Sequence, residues 1–192
     1  MSFIRNIFSG KSKKMDLSSF AQLPLQLMDT KSPPFDDWKD PDVDVPDDLR
    51  QMFNFYTWLY QLFIFYMLTS DALGNELAVR VVELQDKAEG DILGSTMFNI
   101  YENMNNIKAS IEYLIESPVV EDMEGEQTEM PLEYGLAKKF LFSGEFSPLK
   151  FKEENVDLGE VANLGLCLFH AKQSAIAYFE ALLSKIELNK NA

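Results

Sequence analysis

Histidine and cysteine are nearly missing from this chain, with one of each, His170 and Cys167, among 192 residues. A Cys/His zinc site needs several such ligands, and a di-iron centre built on two Glu-x-x-His pairs needs two histidines, so both are excluded. A single cysteine closes no internal disulfide, and a reducing cytoplasm is the expected location. The nine glycines form no phosphate-cradling loop and no G-x-S-x-G elbow, and no H-E-x-x-H is present. No cofactor is expected, and the chain is read as non-enzymatic.

Basic residues are also scarce. There are 17 Lys and Arg against 31 Asp and Glu, for a net charge of −14. The imbalance is uneven: residues 1–14 carry Arg5, Lys11, Lys13 and Lys14 and no acid, or +4, which leaves −18 on the remainder. A body of that sign repels nucleic acid and anionic lipid and attracts a basic protein. The opening residues lack the long apolar run and small-residue cleavage site of a secretory signal, so none is expected.

What is abundant is aromatic apolar surface. Gln51–Ser70 runs for 20 residues without a charge, and eight of them are aromatic: Phe53, Phe55, Tyr56, Trp58, Tyr60, Phe63, Phe65 and Tyr66. A helix of that length is about 30 Å long, enough to cross a bilayer. Its composition argues otherwise. Asn54, two glutamines, two threonines, a serine and three tyrosines lie inside it, and each polar group left without a partner in hydrocarbon costs several kcal/mol. Aromatics run from end to end instead of forming belts, and no basic cluster flanks the segment. A helix apolar on nearly all sides belongs at the centre of a soluble bundle.

Three regions follow along the chain. Residues 1–14 place Phe3, Ile4, Ile7 and Phe8 at helical spacing ahead of a lysine cluster, a basic amphipathic segment suited to a membrane surface or to docking on protein. Residues 15–45 hold Pro24, Pro33, Pro34 and Pro41 with Asp36, Asp37, Asp40, Asp42 and Asp44. They read as an extended Pro/Asp-rich arm with no long helix, anchored by Phe20, Leu23, Leu25, Leu27, Phe35 and Trp38.

Residues 46–190 read as a helical bundle domain of about five helices, so the fold class is all-α. Pro46, Asp47 and Asp48 open the aromatic helix, and Gly74 is placed to end it in a left-handed conformation. A second helix over about 75–89 carries Leu77, Val81, Leu84 and Ala88 on one stripe and stops at Gly90. A third over about 91–117 has the cleanest pattern, with Leu93, Met97, Ile100, Met104, Ile107, Ile111 and Leu114 spaced alternately by four and three. Pro118 ends it. A fourth spans about 130–142, opened near Pro131. The last, from 158 to about 188, has Leu164, Leu168, Ala171, Ala175, Phe179, Leu182 and Ile186 on one face. Leu166, Phe169 and Ile176 lie on other faces, which makes this helix largely enclosed.

The candidate sites are surfaces. Glu121–Glu129 is an acidic loop whose glycine and carboxylates do not follow the alternating ligand order of a calcium loop, so it reads as solvated. With the aspartates of the arm, Glu121, Asp122, Glu124 and Glu126 form a face that would speed association with a basic protein partner. Cys167 and His170 share a helix but lack a third group to orient a base, and a packed thiol beside a half-exposed imidazole is the expected arrangement. The leading expectation is an acidic protein-binding module of the inhibitor, immunity-type or adaptor kind. The first alternative is a peripheral membrane or assembly subunit tethered through Phe3, Ile4, Ile7 and Phe8. The second is a helical carrier or enzyme with an apolar pocket beside Trp58 and Tyr60.

Overall fold

A computed structural model describes residues 13–28, 47–93, 100–116, 119–121, 127–129, 131–143, 158–184 and 186–188. These residues are predominantly helical. In chain order they form β1 (Lys13–Met15), α1 (Leu17–Met28), α2 (Asp47–Leu73), α3 (Asn75–Leu93), α4 (Ile100–Glu116), β2 (Val119–Glu121), β3 (Gln127–Glu129), α5 (Leu132–Phe142), α6 (Leu158–Leu183) and β4 (Ile186–Leu188). The strands make two short pairs: β1 runs parallel to β4 with Lys14 opposite Glu187, and β2 runs antiparallel to β3 with Val120 opposite Thr128.

The chain groups into two compact units. The first comprises residues Met1–Lys31, Gln61–Tyr101 and Lys172–Ala192, and the second Ser32–Tyr60 and Glu102–Ala171. The aromatic helix α2 and the last helix α6 each contribute residues to both. Within α2, from Met52 to Ser70, Met67 is the sole exposed residue, at 36%, as a helix apolar on nearly every side requires.

The first unit is built on phenylalanine stacking. Phe65 of α2 lies 5.1 Å from Phe20 of α1 and 4.4 Å from Phe179 of α6, ring centre to ring centre. Met15, Leu17, Ala21, Leu23, Val81, Ala175 and Leu182 complete the cluster around them. Burial of each such side chain contributes up to about 1.5–3 kcal/mol before ordering entropy is subtracted. α1 also packs on α3, where the buried Gln85 amide donates to the Ala21 carbonyl at 3.1 Å. Gly74 separates α2 from α3 at φ +95°, a left-handed conformation that glycine adopts without strain.

The second unit holds the first half of α2 with α4, α5 and most of α6. Tyr56 and Phe140 stack at 4.8 Å with their planes 3° apart. Gly165 of α6 lets α5 come close: a Cβ there would lie 3.1 Å from the Tyr134 Cα.

Several elements depart from what the sequence pattern predicts. The arm is not extended throughout, because Leu17–Met28 is a helix with Pro24 inside it. Asp16 supplies the reason. It accepts the Ser19 amide at 2.7 Å and the Ser19 hydroxyl at 3.0 Å, and these bonds hold its carboxyl below its ordinary value. A capped start and burial of Leu17, Phe20, Ala21 and Leu23 outweigh the one backbone hydrogen bond that Pro24 removes. Residues 29–45, with Pro33, Pro34, Pro41, Phe35 and Trp38, lie outside the described residues.

α3 continues through Gly90 to Leu93, since an interior glycine weakens a helix by only about 1 kcal/mol and ends it only by turning left-handed. α4 begins at Ile100, later than the stripe from Leu93 predicts. The acidic segment is framed by β2 and β3 rather than being loop throughout. α6 stops at Leu183, and Ile186 enters β4 instead of extending the helical stripe.

Candidate functional site

Most of the residues that the sequence singles out lie outside the described residues: Phe3, Ile4, Ile7 and Phe8; Asp36, Asp37, Asp40, Asp42 and Asp44; and Asp122, Glu124 and Glu126. Glu121 is described. It ends β2, opposite Gln127 of β3. What the structure adds stands immediately before it, at the end of α4.

Tyr113 and Ile115 are the two most exposed large apolar side chains among the described residues, at 56% and 65%. Water is a poor neighbour for both, and α4 has a complete buried face without them: Asn103, Met104, Ile107 and Ser110 are buried within the second unit. Because i and i+2 point apart on a helix, the two side chains flank the exposed face, with Glu112 and Glu116 between them. Tyr113 is held in place. The Lys139 ammonium of α5 sits 4.6 Å from its ring centre, a cation–π contact that orients the aromatic without covering it.

The charges that α4 itself carries at this end are acidic. The last turn of α4 contains no basic residue and finishes on Glu116, so a carboxylate stands at the negative end of the helix dipole, the unfavourable arrangement. Lys108 reaches Glu112 only at 4.0 Å, with side chains 55% and 63% exposed, and such a pair contributes little. Glu121 and Glu129 are the last residues of β2 and β3 and stand at opposite ends of the antiparallel pair, Glu121 opposite Gln127 and Glu129 opposite Val119. Tyr113 and Ile115 thus flank two exposed carboxylates, Glu112 and Glu116.

A second arrangement in this unit is internal. The Tyr60 hydroxyl donates to Glu133 Oε1 at 3.5 Å, and both residues are buried. Burial first, and then the neighbouring Glu133 carboxylate, push the Tyr60 phenol well above its ordinary value of 10.0. Glu133 lies in the first turn of α5, where the positive end of the dipole favours an acid. The sequence carries a signal for it that composition alone does not show: with Leu136, Ala137, Phe140 and Leu141 it falls on the stripe that α5 buries. A phenol kept protonated beside a carboxylate adds a polar contact between α2 and α5.

Cys167 is fully buried and His170 is exposed, its ring edge-on to Phe169 at 5.8 Å. Leu166 and Phe169 are 44% and 43% exposed, so within the second unit α6 is open on the face that the sequence reading encloses. Among the described residues, no group of three or more His, Cys, Asp or Glu is placed to hold a metal ion, and no helix is long and apolar enough to cross a membrane. No family model, curated protein or solved structure matches this chain.

Proposed function

We propose that this chain is a non-enzymatic protein-binding module, a helical bundle that engages a basic protein through an acidic surface anchored by exposed apolar side chains. The observation that carries the reading is the end of α4, where Tyr113 and Ile115 stand in solvent beside Glu112 and Glu116. An aromatic clamped by a lysine loses little freedom on binding and is the residue type that concentrates binding energy at interfaces. The carboxylates supply steering, which raises the association rate more than the final affinity. The hairpin β2–β3 and the aspartates Asp36 to Asp44 extend the acidic surface along the sequence, and a cytoplasmic setting suits a chain with one cysteine.

The test is affinity capture with the full chain as bait, followed by the same capture with Ile115→Asp and Tyr113→Ala. Loss of the basic proteins from both variants, with helical content unchanged by circular dichroism, supports the reading. Recovery of the same proteins in the same amounts contradicts it. Deletion of residues 29–45 asks whether the aspartates contribute. The deletion must stop short of α1, because Phe20 and Leu23 are core residues of the first unit.

A further inference from the structure

α6 carries two seams within the second unit. The inner one, Val161, Leu164, Leu168 and Ala171, is buried. The outer one, Gly159, Ala162, Leu166 and Phe169, repeats the same alternation of three and four residues and is exposed throughout. Such spacing places side chains in one row along a helix, the arrangement that receives another helix. Gly159 and Ala162 leave room for its backbone, and Leu166 and Phe169 supply the contact.

Charge decides what covers this row. No Asp, Glu, Lys or Arg is found among the exposed residues from Gly159 to His170. The exposed face of α4 in the same unit bears Glu102, Lys108, Glu112 and Glu116, and that of α3 in the first unit bears Glu76, Arg80, Glu83 and Lys87. A basic protein finds no carboxylate to pair with among the exposed residues of this row. Two copies of a chain with net charge −14 repel one another when acid-bearing faces meet, whereas the outer row of α6 opposes its own image with no formal charge at the contact. A face that is its own complement is what a two-fold interface requires.

We propose that a second copy of this chain docks on the outer face of α6, through Leu166 and Phe169, in a two-fold helix-to-helix contact separate from the α4 surface. Four residues along about 15 Å of helix, two of them small, bury far less area than the roughly 800 Å² per partner of a standard interface, which sets the contact in the weak, concentration-dependent class. Long-range repulsion between the acidic bodies opposes it, so salt strengthens the association.

The experiment is sedimentation equilibrium of the full chain over roughly 10–500 µM, a range that brackets weak affinities, at low salt and again at about 0.5 M salt, where charges beyond a few ångströms are screened. The expected result is an average mass that climbs from 22.0 kDa toward twice that value, further at high salt, and that returns to the monomer in Leu166→Glu and Phe169→Glu. Both side chains face solvent, so circular dichroism should show the variants folded. Leu166→Ala, which adds no charge, should weaken association less than either glutamate. A monomer at every concentration and salt overturns the proposal, and so does a dimer that both glutamate variants leave intact. Ile115→Asp should dimerise like the native chain, so failure of this contact and failure of the α4 reading are separately visible.

Discussion

The two units distribute polarity in opposite ways. In the first, the interior is a cluster of phenylalanine and aliphatic side chains; among the described residues Gln85 and Thr69 are the buried polar ones and Met67 is the one exposed large apolar residue. In the second, Thr57, Asn103, Ser110, Glu133 and Asn163 are buried, while Tyr113, Ile115, Leu166 and Phe169 stand in solvent. Polar groups inside add little net stability even when satisfied, and apolar groups outside add none. The first unit therefore has the pattern that favours stability, and the second displays the apolar surface on which the proposed binding rests.

The contrast is broken most severely by Phe65→Ala. This change removes the ring that touches both Phe20 and Phe179 and should destabilise by about 3–5 kcal/mol. Denaturant unfolding should show a large fall in midpoint. A loss below about 1 kcal/mol would mean that the first unit has no specific stacked core. Gly165→Val in the second unit comes next. The Tyr134 backbone cannot yield as a flexible side chain can, and about 1–3 kcal/mol of destabilisation should follow.

Tyr60→Phe is the smallest of the three, at about 1 kcal/mol, and its diagnostic value lies in its pH dependence. A phenol whose value is raised on folding contributes stability that is present below its unfolded value of 10.0 and is lost as pH climbs toward the folded value. The native chain should lose stability steadily above that pH, and Tyr60→Phe should lose less over the same range. Identical alkaline unfolding profiles for the two proteins would show that Tyr60 is not held neutral by its surroundings.

Much of the helical pattern was legible in the sequence, and physical causes separate the parts that were not. α2 and α5 were readable because long aromatic content, Pro131 and Gly74 leave few alternatives. α1 was hidden because Pro24 is a strong local signal against helix, while the opposing terms, an Asp16 cap and a buried face supplied by α2, α3 and α6, depend on tertiary partners. The early stop of α6 has the same origin, since the pairing of β4 with β1 joins segments far apart in the chain. At the candidate site, the acidic run through Glu121 was evident as composition. Exposure was not: Ile115 looks like any apolar helix residue until the fold leaves it uncovered, and Leu166 and Phe169 look like the second face of an enclosed helix.

Hydrogen–deuterium exchange tests most directly whether the end of α4 is a binding surface. The native chain would be compared alone and in complex with the basic protein it captures. Exchange should slow in the complex for peptides covering Glu112 to Glu121, the last turn of α4 and the strand that follows. Identical exchange of those peptides in the free and bound states would contradict it.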